Sequence, residues 1–433
     1  MSENIPHNWK IIQLGEVASI VSGGTPSRET SAFWGKDIPW VTPTDITNTK
    51  GRFLFNTAER LSLLGLNSSS ASLLPPGTIL MTSRATVGDS RIAEREVCTN
   101  QGFKSLIPNK DIDSLFLFYQ MQRCREDYKA FGIGSTFLEV SKKDSERFEL
   151  LLPNDLEEQK AISKILDCVD QTIEKTEALI HKYQQIKTGL MHDLFTRGLT
   201  ADGKLRLPRE QAPELYQETP IGWIPKEWGY GLLNDIVNPL RPIVYGILMP
   251  GYGFDGGILV VKVKDIQGGK IDADNLLLTT HQIDNEYRRS RLKSGDILLT
   301  IRGTVGRICI VPDELENANI TQDTARIDLS EGNNEFYGYY FETDGATRHF
   351  SINTLGVAVQ GINLGEVRKT PIPKTPSTEQ AEIAKRISSI NDKIDREKEN
   401  CKKLRVLKSG LMHDLLTGKV QVTIDPDETT HHS

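Results

Sequence analysis

The sequence predicts an α+β chain with a pseudo-twofold internal repeat, in which each of two tandem mixed domains is followed by a long helix. Three observations predict it. The run Gly189 to Leu194 (Gly-Leu-Met-His-Asp-Leu) recurs as Gly410 to Leu415, an offset of 221 residues at which Glu158-Gln159 also matches Glu379-Gln380, Ile162 matches Ile383 and Lys164 matches Lys385. A second block, Gly77 to Gly88, returns as Gly295 to Gly306 at an offset of 218. Each half also opens alike, with Ile5-Pro6-His7-Asn8-Trp9 echoed by Ile224-Pro225-Lys226-Glu227-Trp228, and weaker echoes link Asp45-Ile46 to Asp265-Ile266 and Gln101 to Gln322. The blocks keep one order in both halves. The mixed domains have diverged while the helices keep a shared frame, which suggests one job performed on two targets.

The first mixed domain takes residues 1–152 and the second 223–372. Short β-rich runs (Ile79 to Thr82, Ile258 to Val263, Ile297 to Ile301) stand among Gly, Pro, Asn and Ser, with helical stretches at Ser114 to Tyr128 and Asn333 to Phe350. Residues 153–198 read as the first long helix, started by Asp155, Glu157 and Glu158 after Pro153. Its apolar positions Ile162, Leu166, Val169, Ile173, Ile180, Tyr183, Leu190 and Leu194 alternate in steps of 4 and 3, interrupted at Thr176 and Lys187. Residues 373–420 repeat the pattern as Ile383, Ile387, Ile390, Ile394, Cys401, Leu404, Leu411 and Leu415, interrupted at Glu397 and Lys408. That is a coiled-coil seam with matching defects. Between the halves, 199–222 reads as a linker, with Pro208, Pro213 and Pro220, and 421–433 as a polar tail.

With 433 residues, 38% hydrophobic and 25% charged, the chain has the composition of a soluble globular protein. No apolar run approaches the roughly 20 residues of a membrane span, so a cytoplasmic protein is expected. Cys98, Cys124, Cys168, Cys309 and Cys401 are widely spaced without a CxxC pair, which suits reduced structural thiols rather than disulfides or zinc. A net charge of -6 argues mildly against nucleic acid as a partner. Locally the sign reverses: from Glu286 to Arg307 six bases face two acids. Such a run is more often a solvated face than a binding surface.

Enzyme motifs are missing. Gly251 to Gly256 fits GxGxxG, but Pro250 precedes it and no amphipathic helix follows, so it reads as a turn. There is no GxxxxGK[ST] run, and no Asn-Pro-Pro-aromatic or Asp-Pro-Pro-Tyr run of an amino-methyltransferase. His192-Asp193 and His413-Asp414 invite a base-and-orienter reading, yet near helix ends packing or charge complementation fits them better. No active site is expected. What remains is binding chemistry in loops. Arg84 and Arg302 stand at matching places in a strand-to-turn block, and arginine suits bidentate contact with guanine or phosphate. Asn100, Gln101 and Gln322 suit adenine edges. Thr25, Ser27, Thr42, Thr44 and Thr86 in the first half, with Arg241, Tyr245, Lys262, Lys264 and Thr304 in the second, complete the candidate DNA-binding set.

Together these blocks resemble the specificity subunits of type I restriction-modification systems. The resemblance rests on Ser22-Gly23-Gly24-Thr25-Pro26-Ser27, Ile38 to Ile46, Ser83-Arg84-Ala85-Thr86-Val87-Gly88 and Thr99-Asn100-Gln101-Gly102-Phe103. The Gln-containing helix starts, the Gly-Leu-Met-His-Asp-Leu helix ends and Gly222 to Trp228 complete it, so that it covers nearly the whole chain. It implies that each mixed domain is a target recognition domain reading half of a split site in double-stranded DNA. It further implies that the two helices pair as an antiparallel coiled coil setting the spacer. Two methyltransferase (modification) subunits and restriction/translocase subunits would be the partners, carrying S-adenosylmethionine, ATP and Mg, with no cofactor on this chain. The second domain departs from the first at Arg302-Gly303-Thr304 and Thr321-Gln322-Asp323. Two rivals stand beside this reading: a recognition subunit of a type IIB-like system, and a protein-binding scaffold.

Overall fold

The computed structural model describes residues 5–132, 139–356 and 360–422. By packing, the chain divides into two compact units, Met1–Leu179 with Glu397–Ser433, and Ile180–Arg396. Each unit holds one mixed domain and a part of each long helix, the first helix running over Leu156–Thr196 and the second over Ser377–Leu416. Chain order places the expected boundaries at helix ends. Packing cuts both helices near their middles, because successive stretches of each seam bury against different domain cores.

The two mixed domains share a topology that sequence similarity reveals only in patches. In the first, Trp9–Gln13 pairs antiparallel with Glu149–Pro153, closing the domain's ends together. A five-stranded sheet follows, in the spatial order 18–22, 104–108, 79–81, 90–93, 53–54, beside a three-stranded sheet ordered 59–61, 34–41, 98–99. In the second, Gly229–Leu232 pairs antiparallel with Pro371–Lys374. Its four-stranded sheet runs 244–245, 324–327, 297–300, 308–310, and its three-stranded sheet 277–279, 258–261, 319–320. A parallel pairing recurs at the matching place. Trp40 and Val41 run parallel to Cys98 and Thr99, as Val260 and Val261 do to Asn319 and Ile320.

The helical stretches are each broken once. Ser114–Arg123 and Arg125–Ala130 meet at Cys124, and Asn334–Phe341 and Asp344–Ile352 meet at Glu342 and Thr343. Both first helices are capped by a side-chain oxygen, Asp113 for Phe116 N–H and Asn333 for Phe336 N–H.

The repeated Glu-Gln pair at the long-helix starts is structural. Gln159 accepts from Asp113 N–H at 2.9 Å and donates to Pro153 O at 3.2 Å, while Gln380 accepts from Asn333 N–H at 2.8 Å and donates to Thr375 O at 2.7 Å. Glu158 and Glu379 each take the indole N–H of the repeated tryptophan, Trp9 and Trp228, at 3.0 Å. Each helix start is thereby bolted to its own domain.

The seam is buried or half-buried at every expected position, from Ile162 to Leu194 and from Ile383 to Leu415. Of its lysine interruptions, Lys187 pairs with a carboxylate of its domain and Lys408 with one on the other long helix. Lys187 reaches Glu342 at 3.2 Å, and Lys408 reaches Asp170 at 2.7 Å while lying 5.5 Å from the Tyr119 ring. Within the first unit Arg405 donates to Glu177 at 2.6 Å, so partners of Lys408 and Arg405 advance along the first helix as the second recedes. These stretches are antiparallel. Matching ion pairs fasten the sheets to the helices, Arg52 with Glu174 at 2.8 Å and Lys270 with Asp395 at 2.7 Å.

One expectation fails here. The stretch from Arg197 to Gly222, read as a linker from its prolines, is packed structure. Leu199 and Tyr216 are buried, Tyr216–Thr219 forms a hairpin with Gly222–Pro225, and Arg206 is buried against Glu379 at 2.7 Å. Buried apolar side chains, the hairpin and the ion pair together order the stretch despite its prolines. At the other end, Val422 packs on the first unit's core, and the rest of the expected tail, from 423, lies outside the described residues.

Burial pushes the Cys98 thiol up to about 11 and that of Cys309 up to about 12, and Cys168 alone of the five is exposed. Thiolate is the reactive form. A native sample should therefore label rapidly at one thiol with a chromogenic disulfide and at all five after denaturation; two or more fast equivalents would contradict this packing.

Candidate nucleic-acid interface

The candidate site is built around the duplicated strand-to-turn block. Thr82 Oγ1 donates to Thr86 O at 2.6 Å and Gly88 N–H to Thr82 O at 2.9 Å; Thr300 Oγ1 likewise donates to Thr304 O, and Gly306 N–H to Thr300 O at 2.9 Å. Threonine is needed at the strand end because its hydroxyl closes the loop. The loop turns through the left-handed region at Ala85 (φ 59°) and Gly303 (φ 77°), where glycine is the easier residue. The two loops thus have one backbone despite the Ala/Gly difference.

Each loop presents one arginine. Arg84 and Arg302 are 48% and 54% exposed, each at a backbone bridge to a segment far along the chain, Glu139 and Gly361. Their side chains are held differently, Arg84 on Glu139 at 2.9 Å and Arg302 loosely on Asp323 at 3.7 Å. Exposed pairs of this kind are worth about 0–1 kcal/mol, so either guanidinium can leave its carboxylate for a better anion.

Around Arg84 the fold gathers most of the other first-domain candidates. Ser83 N–H donates to Gly102 O at 2.8 Å, Asn100 Oδ1 accepts from Gly102 N–H at 2.8 Å, and Thr25 Oγ1 donates to Gln101 Oε1. Asn100 N–H reaches Val41 O at 3.1 Å, which brings in Thr42, the cap of the helix Pro43–Asn48, whose hydroxyl donates to Asp45 at 2.6 Å. Thr44, Ser27 and Gln101 are exposed and Thr86 is half-buried. The segments approach closely enough that a Cβ on Gly23 would lie 2.1 Å from Asn100 O. Only glycine fits.

The second domain repeats the cluster. Arg302 N–H donates to Asp323 O at 3.3 Å, Gln322 N–H to Ile247 O at 2.9 Å, and Thr321 N–H to Val261 O at 3.1 Å beside Lys262. Lys262 stands where Thr42 does, its N–H held by Asp265 at 2.9 Å as Thr42 N–H is held by Asp45 at 2.8 Å. Gly246 takes the place of Gly23, with a Cβ position 1.8 Å from Ile320 O. Tyr245, Lys264 and Thr304 are exposed, and Gln322 is half-buried.

Arg241 does not join this cluster. Its guanidinium is committed to Asp296 and Asp328, both at 2.9 Å, at the opposite end of strand Ile297–Thr300 from Arg302. Sequence reasoning also missed three groups that the fold places beside the candidate residues. Arg28 is exposed, paired with Glu59 and stacked 4.0 Å from the Trp34 ring and 5.1 Å from that of Trp40. Glu139 and Asp323 hold the two loop arginines. Asp323 follows Gln322 in the duplicated block and was visible there; Glu139 belongs to a pairing only the fold creates.

The enzyme-like fragments dissolve. Gly251, Gly253 and Gly256 all have positive φ, in a loop, as expected. Asp193 pairs with Arg197 at 3.3 Å and Asp414 with Lys419 at 3.2 Å, while His192 and His413 are exposed, which fits the helix-end reading. Among the described residues no group of three or more His, Cys, Asp or Glu could hold a metal ion, and no helix is long and apolar enough to cross a membrane.

Comparison with known proteins agrees with the duplication. The family model for the type I restriction modification DNA specificity domain matches residues 6–185 and 254–405. The specificity subunit of the type I restriction enzyme MjaIX from Methanocaldococcus jannaschii is 25% identical over 434 residues, covering 96% of this chain and 95% of that protein. That of the Escherichia coli type I restriction enzyme EcoBI is 29% identical over 254 residues, 57% of this chain and 52% of that one. In fold, the chain resembles the crystal structure of the type I restriction-modification S subunit from M. genitalium, with a TM-score of 0.59 at 15% identity over 98% of both chains. With its family model matched in both halves and one domain topology built twice, this chain belongs to the type I restriction-modification DNA specificity family, and it is a DNA-recognition subunit rather than a catalytic one.

Proposed function

We propose that each mixed domain reads one half of a bipartite double-stranded DNA target, and that the two long helices pair as an antiparallel coiled coil along their lengths, setting the spacer between half-sites. The observation that carries this reading is the pair of loops at Arg84 and Arg302: one backbone, one half-exposed arginine each, but different neighbours. Identical framing with different side chains is what two readers of different sequences require. Candidates that cap or brace the loops (Thr42, Asn100, Thr25) act by positioning them, and the exposed groups (Arg84, Arg302, Thr44, Tyr245, Lys264, Thr304) meet DNA. The helices dock two modification subunits and the restriction/translocase subunits in the cytoplasm. S-adenosylmethionine, ATP and Mg act on those partners, and this chain binds none of them.

Methylome sequencing of a host expressing the chain with its neighbouring modification subunit tests the reading. A split adenine-methylated motif that disappears without this chain is expected. Grafting another specificity subunit's residues 10–150 should then change one half-site only, and inserting a heptad between Ile162 and Leu194 should alter the spacing or abolish assembly. A folded complex with an active modification subunit and no new motif would overturn the proposal.

A further inference from the structure

In the second mixed domain a cavity of about 210 Å³ is lined by Arg241, Arg288, Arg289, Arg291, Lys293 and Arg326. Among the described residues three carboxylates answer these six bases, Asp296 and Asp328 on Arg241 and Asp284 on Arg291. Positive charge is left in excess around a cavity roomy enough for several waters at roughly 30 Å³ each.

Arg326 is the unusual member. It is 1% exposed, and its Nη2 donates to Pro242 O and Arg289 O, both at 3.1 Å, while Nε and Nη1 are buried and have no hydrogen-bond partner among the described residues. Burial and the neighbouring Arg241 hold its pKa below the ordinary arginine value. A buried guanidinium with idle donors is costly and calls for a partner. Nothing in the shared topology demands it. Arg326 sits opposite Val244 on the edge strand, and at the matching place opposite Val21 the first domain has Ser105. Residues 288–293 hold four bases where residues 70–75, before the matching Gly77, hold none. The cavity is therefore an addition to one half. Arg326 pairs with Leu298, four residues before Arg302, or roughly 13 Å along a strand, so it is separate from the Arg302 loop.

We propose that this cavity binds a phosphate-class oxyanion, with the buried Arg326 in its lining and the exposed Arg288 and Arg289 at its mouth. Planar forks match phosphate oxygens in pairs, and several guanidinium groups converging on one cavity suit a dianion better than a single carboxylate. The phosphate is either a backbone phosphate of duplex DNA, in which case the site rests on the proposed function, or a free phosphate, in which case it does not.

The full chain, in phosphate-free buffer, should bind inorganic phosphate saturably by calorimetry and gain thermal stability that chloride at equal ionic strength does not confer. Arg326→Met should abolish this binding, and the exposed pair Arg288→Ala with Arg289→Ala, which leaves the core intact, should weaken it at least tenfold. If the duplex supplies the phosphate, inorganic phosphate competes with DNA, and Arg326→Met lowers the slope of log affinity against log salt by about 0.9. If the ligand is free phosphate, DNA and phosphate bind together and the slope is unchanged. No phosphate binding beyond chloride together with an unchanged slope, or binding equal in wild type and both variants, overturns the site.

Discussion

Glu379→Ala is expected to destabilise the second unit by about 3 kcal/mol or more, within the range for removing one partner of a buried ion pair. Arg206 and Glu379 are 6% and 8% exposed and 2.7 Å apart. The carboxylate also accepts from Leu199 N–H at 2.5 Å and from the Trp228 indole at 3.0 Å. Truncation leaves a buried charge and two buried donors idle, and the other carboxylate on Arg206, that of Glu227, is mostly in solvent. The equivalent Glu158 holds the Trp9 indole at 3.0 Å from a half-buried position. Glu158→Ala should cost about 1.5 kcal/mol, one charge-assisted hydrogen bond. Urea unfolding followed by hydrogen exchange, which reports on each unit separately, measures both. Equal costs would mean that the buried pair adds nothing to the shared strut.

Arg84→Ala and Arg302→Ala should each weaken binding to the cognate duplex by about 1–3 kcal/mol, the discrimination supplied by one good bidentate base contact. Stability should change by no more than about 0.5 kcal/mol, since both side chains are half-exposed and weakly paired. The informative reading is by half-site. With duplexes scrambled in one half at a time, the Arg84 variant should lose its preference in one half-site and the Arg302 variant in the other, measured by anisotropy at fixed salt. If both variants lose affinity uniformly for all duplexes and flatten the salt dependence, the arginines touch phosphate rather than bases.

Much of the architecture was already legible in the chain. The duplicated blocks made the repeat visible because they carry geometry that side-chain exchange disturbs. Thr82 and Thr300 close the same turn, and the Glu-Gln pairs bolt each helix to its domain. The helix seam was legible because a period of 3.5 to 3.6 residues is a local property, recorded in the order of apolar residues. The sequence by itself thus determined the repeat, the two long helices and the positions of the two loop arginines.

Tertiary structure decided what those residues face. Arg241 and Arg302 are both basic residues of one domain, yet pairing across the sheet sends Arg241 to Asp296 and Asp328 and leaves Arg302 half-exposed. The proline-rich stretch after Arg197 looked like a linker until Arg206 found Glu379, 173 positions away. The basic run from Arg288 to Lys293 acquired meaning only when strand Thr324–Ile327 placed Arg326 beneath it with idle donors. The physical reason is common to all three. Periodicity and turn chemistry act between near neighbours, whereas burial, ion pairing and desolvation depend on which distant segments meet.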